Sequence, residues 1–352
     1  MRIRCPPVGK KQEMTDHLFP FVDYWWFYAA FTALVLALLA LDLGIFHRKA
    51  HVIGFREASI WTAVWAVLAL LFCLGLYEYT VWRFGATAGK QIRLEFLTGY
   101  VVEWSLSLDN MFVFVLVFRY FATPALLQHR ILFFGILGAL AFRGVFIVLG
   151  AELLQYGWIV ILFGIFLIFS GIQMMFSGEH QIEPEQNFFV RGLRRLLPVA
   201  TDSEEQRFFS WRNGKLCATP VVLTLVVIEA TDVLFAVDSV PAIFAITREP
   251  LVVYTSNVFA ILGLRALYFL LAGALARFHL LRYAVALILM FVGIRMSWLN
   301  SAWQGHFPNT ISLGVILVIL AVSIGLSLVF PSSRKSSEAV LPTRPRVKSS
   351  TP

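Results

Sequence analysis

The chain alternates between long apolar stretches and shorter polar segments. About nine apolar stretches stand out, and most approach or exceed the roughly 20 residues that a helix needs to cross the hydrocarbon core of a bilayer. They cover residues 24–46, 59–79, 95–118, 131–150, 157–176, 219–246, 254–276, 283–298 and 311–330. The pattern predicts an all-α polytopic membrane protein with about nine transmembrane helices.

Composition supports this interpretation. Of the 352 residues, 59% are hydrophobic and 14% are charged, whereas soluble domains carry roughly 25% charged residues. This composition excludes a soluble enzyme. The net charge of +8 would suit a nucleic-acid partner, but the basic residues lie in loops and tails between the apolar stretches, as is usual in membrane proteins. We therefore expect a lipid bilayer around the protein and no nucleic acid bound to it.

An odd number of spans places the two termini on opposite sides of the membrane. Lys and Arg are more frequent in the loops that lie on the same side of the membrane as the C-terminus. The positive-inside rule assigns that side to the cytoplasm. Four basic residues of the N-terminal tail argue against this assignment: Arg2, Arg4, Lys10 and Lys11. The balance predicts an outside N-terminus and a cytoplasmic C-terminus, with a first span that is too long and unbroken for a cleaved signal peptide.

The spans and loops divide the chain into consecutive segments. These are an N-terminal tail (1–23), the first two transmembrane helices (24–84), repeat unit 1 (95–176), a cytoplasmic basic loop (177–218), repeat unit 2 (219–298), the last transmembrane helix (311–330) and a disordered cytoplasmic tail (331–352). Within the loop, residues 187–197 are apolar and basic. They suit either a short helix at the lipid headgroups or a solvated connector.

The two repeat units share a pattern of charged residues. In each unit an acid-rich span precedes a span in which Ile-Leu-Gly comes shortly before an intramembrane Arg; Glu103 and Arg143 mark the first unit, and Glu229 and Arg265 the second. Because each unit has three spans, the second enters the membrane from the opposite face. Such an inverted repeat of three-helix units is typical of secondary transporters, which hold their substrate near the midplane between the copies.

Five acidic residues lie well inside two of the spans: Glu103 and Asp109 in the third, and Glu229, Asp232 and Asp238 in the sixth. A charged side chain at the bilayer centre costs about 2.5–3.5 kcal/mol on insertion scales, so intramembrane acids usually mark functional sites. The alternative is that some of them are protonated, or only hold helices together by pairing with the two intramembrane arginines. Two arginines cannot neutralise five carboxylates, which favours a cation site.

The sixth span contains a proline close to one of these acids. Helical spacing places Glu229 and Asp232 close in angle and Asp238 away from them. Pro241 removes a backbone hydrogen bond, which predicts an unwound segment around residues 238–241. Such unwinding would turn Asp238 inward and free carbonyl oxygens as further ligands.

The available ligand types favour a hard cation. The seven histidines lie in or beside tails and loops, and Cys73 is the one cysteine of three that lies in a span. Carboxylate, amide, hydroxyl and carbonyl oxygens suit magnesium, calcium or manganese, whereas zinc and copper favour imidazole or thiolate. Asp42 lies near the inner end of the first span, close to basic residues. We expect it to form an ion pair with them and not to act as a gate. The sequence therefore predicts a divalent cation as the cargo.

Two long motifs make the chain resemble the TerC family, EWSLSLDN at 103–110 and EATDVLFAVDSVPA at 229–242. With LDLGIFHRKAH at 41–51, the chain is similar to the Alx-like branch of that family, within the LysE-type transporter superfamily. The resemblance implies an inner-membrane protein of manganese homeostasis that acts as an exporter. Carried over to these motifs, it implies the following metal-site residues: Glu103, Asp109, Asn110, Glu229, Asp232 and Asp238.

We therefore predict an inner-membrane exporter of Mn²⁺ with an acidic midplane site between the repeats, and with proton antiport left open. We expect Mn²⁺ to be the transported ion and expect no cofactor. We also expect no enzymatic activity, because no span offers a His base or a Gly-x-Ser-x-Gly turn. Two alternatives stay open. One is a membrane partner that aids metalation or assembly of exported proteins; the other is a component associated with tellurium resistance. The sequence identifies no protein partner.

Overall fold

The computed structural model describes residues 18–41, 54–121, 123–153, 156–176, 208–212, 215–272, 280–299, 302 and 307–329. Within these residues, nine helices are long and apolar enough to cross a membrane, which confirms the predicted fold class. Three interpretations fall on residues outside this set: the role of Asp42, the conformation of 187–197 and the disorder of the tail after 331.

The helices follow the chain in the order of the predicted spans. They are α1 (Phe21–Leu41), α2 (Phe55–Phe84), α3 (Ala86–Tyr120), α4 (Ala125–Leu153), α5 (Gly157–Phe176), α6 (Pro220–Phe244), α7 (Pro250–Ala272), α8 (Leu281–Ile294) and α9 (Asn309–Val329). A π-helical turn, Arg295–Leu299, continues α8. The apolar stretches therefore located the helices but not their ends.

Helix α3 shows this difference most clearly. The sequence places the start of the third span at Glu95, whereas the helix begins at Ala86 and runs for 35 residues, about 52 Å. Its first turns are polar, so a hydropathy window does not include them. Gly85 joins α2 to α3 with a φ of 93°, a left-handed conformation that glycine adopts without the strain a Cβ would cause.

A short β-hairpin lies in the segment that the sequence assigns to a basic loop. Strand β1 (Phe209–Arg212) pairs antiparallel with β2 (Lys215–Ala218), so that Phe209 faces Ala218 in the register. The sequence does not indicate this hairpin, because four-residue strands are too short to show a periodic pattern. Thr219 follows β2 directly, and Pro220 begins α6.

The helices pack in a pattern that matches the two repeat units, α3–α5 and α6–α8. Helix α3 packs on α7, and α4 packs on α6; α3 also contacts α6, α4 contacts α7, and α5 contacts α8. Exchanging the two units leaves this set of contacts unchanged, as a repeat requires. Helix α2 packs against α3 and α7, while α9 packs against α3 and α8.

Helices α3 and α7 form the centre of this bundle. The apolar window of α7 is 94% buried and that of α3 is 75% buried, against 22% for α1, α2 and α5. The peripheral helices expose large apolar side chains such as Trp25, Leu71 and Phe169. Because lipid covers such surfaces, buried polar residues of the central helices are the ones that need a specific explanation.

Helices α5 and α8 approach each other closely through glycines. A Cβ added to Gly164 would lie 2.9 Å from the carbonyl oxygen of Gly293, and one added to Gly293 would lie 2.6 Å from the carbonyl oxygen of Gly164. Since ordinary contacts to a Cβ exceed 3 Å, only glycine allows the two backbones to pack this closely.

A candidate cation site between the repeat units

Five buried or half-buried polar residues of α3, α4, α6 and α7 form what we call the central cluster: Glu103, Arg143, Glu229, Asp232 and Asn257. They come from both repeat units. The cluster has two parts that differ in how well their polar atoms are paired.

The first part is a closed ring of three side chains from three helices. The Arg143 guanidinium forms an ion pair with Glu103 through Nη1, and the same nitrogen donates to Asn257 Oδ1 at 2.8 Å. Asn257 Nδ2 in turn donates to Glu103 Oε2 at 3.4 Å. The remaining Arg143 nitrogens, Nε and Nη2, have no hydrogen-bond partner among the described residues. The Glu103 carboxylate is therefore already paired with a positively charged side chain, and Arg143 still has N–H donors without an acceptor.

The second part consists of carboxylates without hydrogen bonds. Asp232 is 3% exposed, and neither of its oxygens has a hydrogen-bond partner in the described part of the chain. Glu229, one helical turn away on α6, likewise has an unpaired Oε2. Asp232 interacts electrostatically with both Arg143 and Glu229. Unpaired buried carboxylates are costly, so this half of the cluster is suited to bind a cation.

Glycines of α4 make room for one of these carboxylates. A Cβ at Gly138 would collide with the Glu229 carboxylate, and a Cβ at Gly135 would lie 4.0 Å from Glu229 Oε1. The carboxylate thus rests against the bare backbone of α4. Gly138 belongs to the Ile-Leu-Gly segment of the repeat, which gives that sequence feature a structural role.

A small cavity opens beside Asp232. Its volume of about 10 Å³ is enough for about one water molecule or a bare ion. Its polar lining residues are Asp232 and Arg265, and apolar residues of α3, α4, α6 and α7 complete the wall. Asp232 is therefore the carboxylate that lines this cavity.

The other predicted ligands have different positions. Asn110 is buried in α3, at 2% exposure, and the side chain of Asp109 lies outside the described set. Asp238 is half-buried and accepts a hydrogen bond from Ser170 of α5. It therefore points to a different neighbour from Glu229 and Asp232, as its angular position on the helix indicates.

The predicted unwinding near Pro241 is wrong. Helix α6 runs without a break from Pro220 to Phe244, with Pro241 inside its last turn. A proline so near the C-terminus removes one hydrogen bond without interrupting the rest of the helix. Asp238 consequently stays in the helix and does not turn towards the central cluster.

The predicted acidic ligands whose side chains the structure describes do not converge on one point in this conformation; they are Glu103, Glu229, Asp232 and Asp238. Among the described side chains, no group of three or more His, Cys, Asp or Glu residues could hold a metal ion. The contacts explain this separation: Arg143 holds Glu103, Ser170 holds Asp238, and Glu229 and Asp232 are left as a pair. Their assignment as metal ligands stays a prediction.

A second polar group lies at the end of the bundle where α3, α7 and α9 begin. We call this end the N-terminal face, and the group of Glu95, Thr247, Arg295 and Asn309 the end network. Glu95 Oε2 accepts a hydrogen bond from Thr247, while its Oε1 accepts from Gln91 at 2.9 Å and from Asn309 at 3.4 Å. Arg295 donates to Asn309 Oδ1. Both oxygens of this buried acid are therefore paired.

The end network has little signal in the sequence. In the sequence, Glu95 lies at the edge of a predicted span, where an acid needs no explanation, and Thr247 and Asn309 lie just outside predicted spans. An acid that begins a long apolar stretch was the only signal. Two helical turns separate Glu95 from Glu103, a distance of about 12 Å along α3.

The same face holds the segment before α1. Glu249 precedes α7, and its carboxylate accepts the backbone N–H groups of Leu18 at 2.5 Å and Phe19 at 3.2 Å. Burial raises the pKa of the Glu249 carboxyl above its usual value, although the two N–H donors lower it in part. These contacts attach the start of the described chain to repeat unit 2.

Comparison with known proteins agrees with this architecture. Residues 88–335 match the model of the integral membrane protein TerC family. The chain is 44% identical over 325 residues to "Uncharacterized membrane protein STKORF319" of Myxococcus xanthus, covering 92% of this chain and 98% of that protein. It is 43% identical over 298 residues to "Putative membrane-bound redox modulator Alx" of Escherichia coli (strain K12), covering 84% and 92%. No solved structure matches the chain. The family match spans most of the chain, and the chain therefore belongs to the TerC family of integral membrane proteins.

Proposed function

We propose that this protein exports a divalent cation, Mn²⁺, from the cytoplasm through the central cluster. The observation that carries the proposal is Asp232, a buried carboxylate that lines a cavity between the repeat units and has no hydrogen-bond partner among the described residues. A cation passing through the cavity would supply the missing partner.

The charge of the central cluster supports a cation and not an anion. Glu103 and Asp232 interact with Arg143, and Glu229 interacts with Asp232. The cluster thus holds three carboxylates against one guanidinium, with Arg265 beside the cavity. Oxygen ligands of this kind suit hard divalent ions. The choice of Mn²⁺ among such ions rests on the family resemblance. Asp109, Asn110 and Asp238 are further ligands to be tested. Asn110 and Asp238 do not line the cavity and would have to approach it in another conformation.

The packing supports alternating access between the repeat units. Two layers of contacts separate the central cluster from the N-terminal face: the end network, and the close approach of α3 to α7, where a Cβ at Gly99 would lie 3.0 Å from Ser256 Oγ. Rocking of one unit against the other would open these layers and release the cation. A carboxylate that holds either a proton or a metal would allow proton antiport.

The proposal includes the membrane orientation. With the N-terminus outside the inner membrane and the C-terminus in the cytoplasm, the end network closes the outer side of the path. The chain then acts as a transporter and not as an enzyme, with Mn²⁺ as cargo and no resident cofactor. The E. coli relative carries the name of a redox modulator; that name supplies no transported substrate.

The test is cation flux in liposomes that contain only the purified protein. We expect movement of Mn²⁺, measured with an internal metal-sensitive dye across a panel of divalent cations and pH gradients. Asp232→Asn should reduce flux to background, whereas the control Asp23→Asn, an exposed acid at the start of α1, should leave it unchanged. Absence of Mn²⁺ flux with correctly inserted protein would refute the transport proposal. Such a result, with loss of metalated exported proteins in cells that lack this protein, would favour the partner-protein alternative.

A further inference from the structure

We propose that Arg143 is a built-in competitor of the transported cation, and that Glu103 acts as a positioning residue that holds Arg143 away from Asp232. This inference rests on the proposed function. It assigns Glu103 a role different from the ligand role that the sequence motif implies.

The first argument is how Glu103 is occupied. Both of its oxygens are engaged, Oε1 by Arg143 and Oε2 by Asn257, and its side chain is fully buried. A metal ion could bind Glu103 only after breaking an ion pair in a low-dielectric environment, which is strongly unfavourable. Asp232 and Glu229 offer carboxylate oxygens without that cost.

The second argument is the unused capacity of Arg143. Its Nε and Nη2 have no hydrogen-bond partner, and both oxygens of Asp232 also lack one, within the described residues. Arg143 and Asp232 already interact electrostatically. The guanidinium could therefore satisfy Asp232 if it were not held by Glu103 and Asn257, and it would then occupy the place of the cation.

The third argument is that the ring of contacts orients Arg143. Its Nη1 contacts α3 through Glu103 and α7 through Asn257, so two helices of different repeat units fix the guanidinium. Relative movement of α3 and α7 would loosen this hold. Arg143 could then turn to Asp232 as the cation leaves, which would keep the vacant carboxylate neutralised and favour release.

A double-mutant cycle measures this competition. In purified protein we expect Arg143→Gln to bind Mn²⁺ about tenfold more tightly, because removal of a nearby positive charge favours a bound cation. Glu103→Gln should weaken binding by about tenfold or more, because the released guanidinium pairs with Asp232. The double variant Glu103→Gln/Arg143→Gln should recover binding at least as tight as that of the unmodified protein.

Flux measurements separate this role from a purely structural one. In liposomes, Arg143→Gln should lower both the KM for Mn²⁺ and the maximal rate, since a tightly held cation is released slowly. Arg143→Lys, which retains the charge, should restore a KM near that of the unmodified protein. The control is Arg282→Gln, because Arg282 donates to the Met174 carbonyl away from the cluster and should change neither constant.

Two outcomes would overturn the inference. If the double variant binds Mn²⁺ as weakly as Glu103→Gln alone, Glu103 is a ligand and not a positioning residue. If Arg143→Gln binds Mn²⁺ no more tightly than the unmodified protein, Arg143 does not compete. Where Glu103→Gln does not fold, Asn257→Ala provides the same test, since it also loosens Arg143. The transport proposal survives either outcome as long as the unmodified protein moves Mn²⁺ and Asp232→Asn does not.

Discussion

The central cluster and the end network both bury acidic side chains within the bundle, yet these acids differ in how their oxygens are paired. Glu95 of the end network accepts hydrogen bonds on both oxygens, from Thr247, Gln91 and Asn309. Asp232 of the central cluster accepts none from the described residues. Fully paired buried polar groups stabilise one conformation, whereas unpaired ones are kept where a ligand supplies the partner. Under the proposed function, we expect the end network to close the path and the central cluster to bind the cation.

The largest expected effect on stability is at the end network. Glu95→Ala should lower the free energy of unfolding by about 3–5 kcal/mol, because it leaves Thr247 and Asn309 without their acceptor and removes the carboxylate that interacts electrostatically with the buried Arg295. Thermal unfolding in detergent measures the change, with Glu78→Ala, an exposed acid of α2, as control. A loss of Mn²⁺ affinity with unchanged stability would reverse the assignment of the two regions.

A smaller effect is expected from crowding the central cluster. Gly138→Ala places a methyl group against the Glu229 carboxylate, and overpacking of this kind costs about 1–3 kcal/mol. We also expect slower Mn²⁺ flux, because Glu229 must move. On the same helix, Gly144→Ala meets no atom within 4 Å and serves as the control. Equal flux in the two variants would show that the position of Glu229 is unimportant.

Asp232→Asn should change stability in the direction opposite to Glu95→Ala. Removing an unpaired buried charge should raise the free energy of unfolding by about 1 kcal/mol, while Mn²⁺ binding is lost. Chemical denaturation without added metal, together with calorimetric titration of Mn²⁺, measures both. A variant that is less stable than the unmodified protein would show that Asp232 has a structural partner.

The smallest effect is expected at Glu249, where the N-terminal segment is attached. Its pKa is raised in the folded protein above the ordinary 4.5, so the folded state binds the proton more readily than the unfolded state. Stability should therefore fall as pH rises from about 4.5 through the raised pKa. Glu249→Gln should flatten this dependence and change stability by about 1 kcal/mol or less. An unchanged pH profile in the variant would attribute the dependence to another group.

The sequence predicts features that belong to a single helix, such as the position of a span. It does not predict contacts that depend on how two helices pack. The nine spans and the buried positions of Glu103 and Asp232 follow from apolar length and from intramembrane charge. Which acid is neutralised by Arg143 could not be derived, because the pairing depends on how α3, α4 and α7 pack. Asn257 had a signal that was overlooked, as it ends the polar triplet Thr-Ser-Asn within an apolar span. The angular position of Asp238 on the helix correctly indicates that it points away from Glu229 and Asp232. Pro241 wrongly indicates an unwound segment, because the helix is unbroken there.

The glycine contact between α5 and α8 limits how the two units can move. At Gly164 and Gly293 the backbones touch without intervening side chains, so there is no layer of flexible rotamers that could yield as one helix slides past the other. We therefore expect this contact to act as the pivot for any rotation of one repeat unit against the other. Rotation about it would produce little displacement at α5 and α8 and progressively more at helices farther away. The size of any opening at the central cluster would then depend on the distance between the cluster and this contact. That distance is set by the fold and not by the transported ion.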